Sequence, residues 1–360
     1  MRKRIAYYLL GFLLCAGMGF LAVLMAIKMR SDSEGTADVT VWDEGGLHFD
    51  SPDSHPQARN YSELVHEMDA LGGISKKYRI GVVLKFFGNQ YWQFLAEGIR
   101  DGAREYDLYL NIQAGSSELS PEAQLERLMD LLDHGCDGLI VSPQTKDNLA
   151  EGLEAAYSRG IPVVNINEVG DVGYAFFVGA RQLEAGRIAA QYLMRQLPDG
   201  GQLAIVKGLS NVYAAEQRTR GFLETLDDSL YEVVEVVDGA WDLQVSLDVA
   251  TLLLMQYPDL RGFYCNNDNM ALGVAQAVRR AQKTDDIIVV GTDGIGPAYD
   301  AIRDGSLSAT VDSFPYHTGK IALEVMLRIL EGQDVPPVIF SPQELITKDN
   351  ANLYTNPKKQ

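Results

Sequence analysis

The chain has 360 residues, of which 46% are hydrophobic and 22% charged, and this composition excludes a mainly disordered protein. Residues 1–30 hold five of the 31 basic side chains and none of the 49 acids, so the remainder has 26 basic against 49 acidic side chains, a net charge of −23. A body this acidic repels phosphate backbones, which excludes nucleic acid as a partner.

An apolar segment opens the chain. Residues 5–27 form a run of 23 residues without a charge, and a transmembrane helix needs about 20. The basic start favours a cytoplasmic N-terminus, so residues 1–30 are predicted to be a signal anchor that places the rest of the chain outside the cytoplasm. A cleaved signal peptide is the alternative. A lipoprotein is a third possibility, although Leu14 precedes Cys15 where a lipoprotein has a small residue.

Residues 31–77 are predicted to be an acidic tether. The stretch 31–75 holds ten acids and one strong base, amid Gly, Ser and Pro. A short helix fits inside it, with Ser62 as its cap and with Leu64 and Met68 at helical spacing. We expect this helix to be transient and without a role.

From Tyr78 onward, short apolar runs alternate with amphipathic segments, which is the pattern of parallel sheets with crossover helices. The first series of predicted strands comprises 80–84, 108–112, 138–142, 162–166 and 175–179. After a helix over 183–197, the second series comprises 202–208, 231–237, 262–267, 287–291 and 307–313, and a helix (320–330) and a strand (338–340) complete the pattern. We predict an α/β fold of two similar lobes, each a parallel sheet flanked by helices, that share a hinge.

Aromatic candidates for a binding site stand just beyond the predicted strands, where open α/β sheets bind their ligands. Asn89, Tyr91 and Trp92 follow the first strand, and Trp241 holds a comparable place in the second series. One aromatic wall per lobe suits a flat ring gripped between two lobes. The alternative is that the first two rings only fasten their helix, 94–106, to the sheet.

Polar candidates stand at similar places. Asn167 and Glu168 end the fourth strand, Asn267 ends a strand of the second series, and Asp293 follows another. Amides both donate and accept hydrogen bonds and carboxylates accept them, so this set suits a polyhydroxy ligand.

Two further polar residues have competing roles. Asp268 is predicted to cap the helix 270–280 rather than to bind a ligand. Arg218 is predicted to hold ligand oxygens in a bidentate fork. Its alternative is a surface arginine paired with Glu216 or Glu224.

Catalysis has little support in the sequence. A Walker A sequence, a GxSxG elbow and a glycine-rich dinucleotide fingerprint are absent, so no enzyme activity and no cofactor are expected. The five histidines have no HxH or HExxH spacing, and Cys15, Cys136 and Cys265 lie in unrelated segments. We therefore predict neither a metal site nor a disulfide framework.

From Tyr78 to Asp349 the sequence resembles the periplasmic sugar-binding proteins of the ribose-binding type, which share their fold with the ligand domains of LacI-type repressors. The likeness rests on an ordered set of segments: Asn89-x-Tyr91-Trp92, DGLIVSP, IPVV, RTRGF, NDNMALG, VVGTDG and DGSLSAT. The resemblance implies a hinge of several strands between an N-terminal lobe (78–180 and 314–341) and a C-terminal lobe (181–313 and 342–360).

The resemblance also implies a ligand pocket. Asn89, Tyr91 and Trp92 match the amide and the stacking aromatics of the first lobe. In the second lobe a ligand arginine, a stacking ring and a hydrogen-bonding pair are matched by Arg218, Trp241, Asn267 and Asp293.

The sequence departs from the ribose type at four places. Asn167-Glu168 stands where that type has Asp-Arg, and Ser313 replaces a glutamine at a hinge crossing. Thr292 replaces an aromatic residue, and Ser142 replaces an asparagine. The exchange of an arginine for a glutamate changes the charge of the pocket and points away from ribose itself.

Two functions compete under this resemblance. One is an extracytoplasmic solute-binding protein that closes on a sugar-like molecule and presents it to an ABC-type permease. The other is a membrane-anchored sensor that passes the liganded state to a histidine kinase or chemoreceptor. A repressor is strongly disfavoured, since it would need a basic helix-turn-helix at its N-terminus, where this chain has a predicted membrane segment and a predicted acidic tether. Glu168 favours ligands with hydrogen-bond donors, and Arg218 partly offsets that preference, so a neutral sugar is expected first and an amino sugar or other cationic ligand second.

Overall fold

Two sheets form the framework of the computed structural model, which describes residues 52–68, 70–169 and 176–354. The strands of these residues, in chain order, are β1 (Arg59–Asn60), β2 (Arg79–Phe86), β3 (Tyr109–Gly115), β4 (Gly138–Val141), β5 (Val163–Ile166), β6 (Phe176–Gly179), β7 (Gly201–Lys207), β8 (Tyr231–Asp238), β9 (Leu260–Cys265), β10 (Ile288–Asp293), β11 (Ala309–Asp312), β12 (Val338–Phe340) and β13 (Glu344–Thr347).

Helices connect most of these strands. After a short 3-10 turn at Pro52–Ser54, the described helices are α1 (Tyr61–Glu67), α2 (Gln90–Glu105), α3 (Pro121–His134), α4 (Ala150–Ser158), α5 (Gln182–Gln196), α6 (Tyr213–Thr225), α7 (Leu243–Gln256), α8 (Asp268–Arg280), α9 (Gly296–Asp304) and α10 (Pro315–Leu330).

Each sheet belongs to one lobe. Among the described residues the first sheet has seven strands in the order β1-β12-β6-β5-β4-β2-β3, and the second has six in the order β13-β11-β10-β9-β7-β8. Neighbouring strands are parallel except for β13, which pairs antiparallel with β11. Val82, Val83 and Leu84 of β2 have no exposed surface, as expected for a parallel strand covered on both faces. The predicted α/β fold with two lobes is confirmed.

The chain passes between the two sheets three times within the described residues. The first crossing follows β6, the second follows β11, and the third follows β12. After the second crossing α10 returns to the first lobe and packs tightly on α2. An added Cβ on Gly98 would lie 1.9 Å from the Tyr316 carbonyl oxygen, and one on Gly319 would lie 2.1 Å from that of Leu95.

The predicted tether is partly folded, which corrects the expectation of a solvated segment with a transient helix. β1 pairs with β12, and α1 begins after Asn60, two residues earlier than a Ser62 cap would place it. The Leu64 side chain is buried in the core of the first lobe, and the Tyr61 hydroxyl donates to Glu324 at 2.6 Å. These contacts supply the stabilisation that a helix of this length lacks by itself.

The predicted membrane segment, residues 5–27, lies outside the described residues. None of the helices within 52–68, 70–169 and 176–354 is both long and apolar enough to span a bilayer. The signal anchor therefore stays a prediction.

The two lobes touch across the cleft between their sheets. Gln90 Oε1 of the first lobe accepts a hydrogen bond from Gly296 N of the second at 2.8 Å. Lys146 Nζ of the first lobe lies 3.5 Å from Glu216 Oε2 of the second. The structure is therefore that of a closed arrangement.

Candidate functional site

A cavity lies between the lobes, beyond the carboxyl ends of the central strands, and the empty space among its lining atoms measures ≈ 380 Å³. All the predicted site residues except Ser313 line it, and the lining is Lys85, Asn89, Tyr91, Trp92, Glu118, Asn167, Glu168, Ala214, Arg218, Trp241, Asn267 and Asp293.

Aromatic rings from both lobes form walls of this cavity. Tyr91 and Trp92 meet edge to face, with ring centroids 4.9 Å apart, and both are buried in the core of the first lobe. These two rings therefore have both of the roles considered from the sequence, because they fasten α2 to its sheet and also face the cavity. Trp241 from the second lobe is half-buried, and its ring rests on Gly208, where an added Cβ would lie 2.0 Å from the indole.

Two asparagines, one from each lobe, cap helices that begin at the cavity. Asn89 Oδ1 accepts from Tyr91 N at 3.0 Å at the start of α2. Asn267 Oδ1 accepts from Met270 N at 3.0 Å at the start of α8. Because each carboxamide oxygen is used by its own helix, the amide NH₂ group is the part available to a ligand.

The prediction that Asp268 caps α8 is wrong by one residue. Asn267 is the cap, and Asp268 occupies the first turn of the helix. The buried Asp268 carboxylate instead accepts from Gly294 N at 2.8 Å, from Ile295 N at 3.0 Å and from the Thr310 hydroxyl at 2.6 Å. Its role is structural, since it fixes the loop that follows Asp293.

Arg218 and Asp293 form a buried ion pair in the second lobe. Arg218 Nη1 lies 3.0 Å from Asp293 Oδ1, and each residue is only 5% exposed. Arg218 Nε also donates to Gln182 Oε1 at 2.7 Å, and Nη1 donates to the Asn266 carbonyl oxygen at 2.6 Å. The alternative of a surface arginine is therefore wrong. Burial raises the pKa of Asp293 to about 6, although Arg218 acts in the opposite direction.

A second buried ion pair lies in the first lobe, where Lys85 Nζ is 2.7 Å from Glu168 Oε1. Glu168 Oε2 also accepts from Ala214 N of the second lobe at 3.3 Å. We did not predict Lys85 as a site residue, and its signal was a single cation at the end of the apolar run 80–84. Because Lys85 compensates Glu168, the carboxylate no longer provides a reason to expect a cationic ligand.

Glu118 is the other charged lining residue that the sequence reasoning missed. It lies in the loop after β3, and its Oε1 accepts from Trp92 Nε1 at 3.2 Å. Burial raises the pKa of Glu118, and the nearby Lys85 lowers it. Glu118 thus adds an acceptor beside the aromatic wall of the first lobe.

Ser313 is not among the residues that line the cavity. It is 2% exposed and stands at the second crossing, directly after β11. Asn167, which does line the cavity, donates through Nδ2 to the Tyr91 hydroxyl and accepts from Ala180 N at 3.0 Å through Oδ1. It therefore connects the aromatic wall to the first crossing.

The sequence profile of the periplasmic binding protein domain matches residues 80–334. The chain belongs to the periplasmic binding protein family. It is 32% identical to the D-allose-binding periplasmic protein of Escherichia coli (strain K12), over 73% of this chain and 88% of that protein. It is 30% identical to the ribose import binding protein of Bacillus subtilis (strain 168), over 77% of this chain and 89% of that protein. The predicted resemblance to sugar-binding proteins of the ribose type is confirmed.

Solved structures of other periplasmic binding proteins have the same fold. A solute-binding protein of an ABC transporter from Actinobacillus succinogenes, solved with bound D-allose, gives a TM-score of 0.73 at 25% identity and covers 77% of this chain and 100% of that one. The fructose-binding periplasmic domain of a hybrid two-component system gives a TM-score of 0.72 at 25% identity and covers 77% of this chain and 92% of that one.

Exchange of Gly208 for alanine is expected to displace the Trp241 ring, because the new Cβ would lie 2.0 Å from it. Overpacking of this kind costs about 1–3 kcal/mol. We expect a lower melting temperature and a shift of tryptophan emission to longer wavelength. Gly73→Ala is the matched control, since nothing lies within 4 Å of the Cβ it would add. A Gly208→Ala protein with the melting temperature and emission of the wild type would show that the Trp241 ring does not pack on Gly208.

Proposed function

We propose that this periplasmic binding protein is an extracytoplasmic solute-binding protein that closes on one neutral monosaccharide and presents it to an ABC-type membrane permease. The observation that carries the proposal is the cavity enclosed by both lobes, with aromatic walls and hydrogen-bonding groups from each. The predicted anchor at residues 5–27 would hold it at the outer face of the membrane. No chemical step is assigned to the cavity.

The charges of the cavity favour a neutral ligand. Two of its carboxylates, Glu168 and Asp293, are paired with Lys85 and Arg218, and Glu118 is a third without a cation at ion-pair distance among the described residues. A phosphate or carboxylate ligand would meet this surplus of negative charge. A sugar hydroxyl both donates and accepts, so it suits a lining that mixes amides, carboxylates and cations.

The named relatives support an aldohexose or aldopentose. The E. coli relative is a D-allose-binding protein, the A. succinogenes structure contains D-allose, and the B. subtilis relative is a ribose import binding protein. Glu168 in place of an arginine distinguishes this pocket from the ribose type, and we rank D-allose before D-ribose for that reason. We rank an amino sugar below both, because the Lys85–Glu168 pair leaves no unpaired carboxylate at that position for its ammonium group.

A sensor is the second candidate function. Its support is the likeness to the fructose-binding domain of a hybrid two-component system. In that case the closed lobes would signal to a sensor kinase rather than load a permease, and the ligand chemistry would be unchanged.

Calorimetry of the full-length chain against a panel of D-allose, D-ribose, D-fructose, glucosamine and ribose 5-phosphate tests the proposal. We expect binding of at least one neutral sugar, weaker binding of glucosamine and none of the phosphate. Tryptophan fluorescence should change with the same binding constant, because Trp92 and Trp241 line the cavity. Absence of binding by every neutral sugar would contradict the proposed function.

Glu168→Gln is expected to weaken binding of the neutral sugar and to lower the melting temperature. The substitution leaves Lys85 buried beside an uncharged amide, and breaking one side of a buried ion pair costs about 3–5 kcal/mol. The double variant Lys85→Met with Glu168→Leu should recover most of the melting temperature but not the affinity. Glu151→Gln is an exposed control in the same lobe. Wild-type affinity and stability in the Glu168→Gln protein would place Glu168 outside the ligand site.

The sugar affinity is expected to fall as the pH is lowered through about 6, because Asp293, whose pKa burial raises to about 6, then gains a proton and is lost as an acceptor. The loss should reach about tenfold one pH unit below that value. The stability of the sugar-free protein should change in the opposite direction, and rise as the pH is lowered. The folded pKa lies above the value of about 3.9 in the unfolded chain, so this group's contribution to the free energy of unfolding declines as the pH rises from about 4 to about 6.

Calorimetry between about pH 5 and about pH 7.5 measures the affinity, and denaturant unfolding between about pH 4 and about pH 7 measures the stability. Glu118→Gln is the control, since it removes the other cavity carboxyl whose pKa burial raises. The affinity profile should persist in that variant. An affinity that does not change over this range would mean that Asp293 does not accept from the ligand.

A further inference from the structure

Arg181 joins two of the hinge crossings. It is the residue just before α5, where the chain has entered the second lobe. Its guanidinium carbon lies 3.6 Å from the centroid of the Phe340 ring, at the end of β12. Its backbone N–H donates to Gln343 Oε1 at 3.0 Å, just beyond the third crossing. The first and third crossings are therefore in direct contact through this residue.

The segment that precedes the binding fold completes these contacts. Asp53 Oδ1 lies 3.5 Å from Arg181 Nη1, and Asn60 Oδ1 accepts from Nη2 at 3.3 Å. The Asp53 carboxyl also accepts from the hydroxyl of Tyr213, which is the first residue of α6 in the second lobe. Tyr213 is adjacent to Ala214, which lines the sugar cavity and contacts Glu168 across the cleft.

The same segment is fixed to the first lobe. β1 extends the first sheet, with Asn60 opposite Phe340 in register. Leu64 of α1 is buried in the core, and Tyr61 bonds to Glu324 of α10. Residues 52–68 thus contact both lobes on the hinge side, and they lie outside the range that the family profile matches.

We propose that residues 52–68 form a hinge brace that stabilises the closed arrangement, with Arg181 as the positioning residue through which the brace sets ligand affinity without contact to the ligand. The inference deepens the proposed function and rests on it, as the regulation of the same site. A protein whose binding-competent state is populated only in part binds with proportionally lower apparent affinity. Loss of the brace contacts would therefore lower the apparent affinity for the ligand.

The test uses the full-length chain and the variant Arg181→Met, which keeps an apolar stem but removes the guanidinium. Calorimetry with D-allose is expected to give an affinity lower by about fivefold. Arg195→Met is the matched control, because Arg195 is an exposed arginine near the other end of α5. The affinity of Arg181→Lys, which retains the charge without the planar guanidinium, should lie between the affinities of Arg181→Met and the wild type. Asp53→Asn should weaken binding in the wild type and have no further effect in Arg181→Met.

A readout without ligand separates failure of this inference from failure of the proposed function. Spin labels at Glu151→Cys and Asp228→Cys report the distance between exposed sites of the two lobes, in a protein in which Cys15 and Cys136 are serine. In the absence of sugar, Arg181→Met should populate longer distances than the wild type and Arg195→Met. Distances and affinity equal to those of Arg195→Met, with only a lower melting temperature, would overturn the brace and leave β1 and α1 as packing alone.

Discussion

Charge buried in the cleft constrains the rest of this protein. A buried ion costs several kcal/mol unless it is paired, and the lining of the cavity contains both cations and carboxylates. Each lobe meets this constraint with a pair of its own, Lys85 with Glu168 in the first and Arg218 with Asp293 in the second. Because both pairs are internal to their lobes, the lobes separate without breaking either buried ion pair.

The two lobes repeat one plan around the cavity. Each contributes an ion pair, an asparagine that caps a helix, and a tryptophan that forms a wall: Asn89 and Trp92 in the first, Asn267 and Trp241 in the second. The two tryptophans are held in place in different ways, however. Trp92 is held in the core of its lobe, whereas Trp241 stands in a left-handed turn with φ 60 and depends on the space left by Gly208. A ligand between these walls would be sandwiched by one ring from each lobe.

Residues at the ends of fully buried strands were predictable, because burial on both faces leaves a clear apolar run and the polar residue that ends it marks the edge of the sheet. Asn167 and Asp293 are of this kind. Lys85 was not predictable as a site residue. It is a single cation in a strand, and nothing near it in the sequence indicates that its buried partner, Glu168, lies 83 residues away. Glu118 lies in a loop without periodicity. Asn267 and Asp268 are equally good caps by residue type, and only the backbone decides between them.

The N-terminal segment was misread for a similar reason. A strand of two residues has no alternation to detect, and the helix after it is too short to be stable by itself. What stabilises both is the edge of a sheet and a helix contributed by residues more than 250 positions later, as the bond from Tyr61 to Glu324 illustrates. Composition alone, rich in acids and glycine, is typical of a linker.

The helix caps at the cavity have an electrical consequence. α2 and α8 begin at Asn89 and Asn267, so the amino ends of two helices face the same small space from opposite lobes. Each end carries the equivalent of roughly half a positive charge. Together they reduce, without cancelling, the surplus negative charge of the lining carboxylates. A neutral, oxygen-rich molecule therefore enters a weaker negative potential than the side chains alone would produce, and the difference comes from the peptide backbone rather than from further cationic side chains.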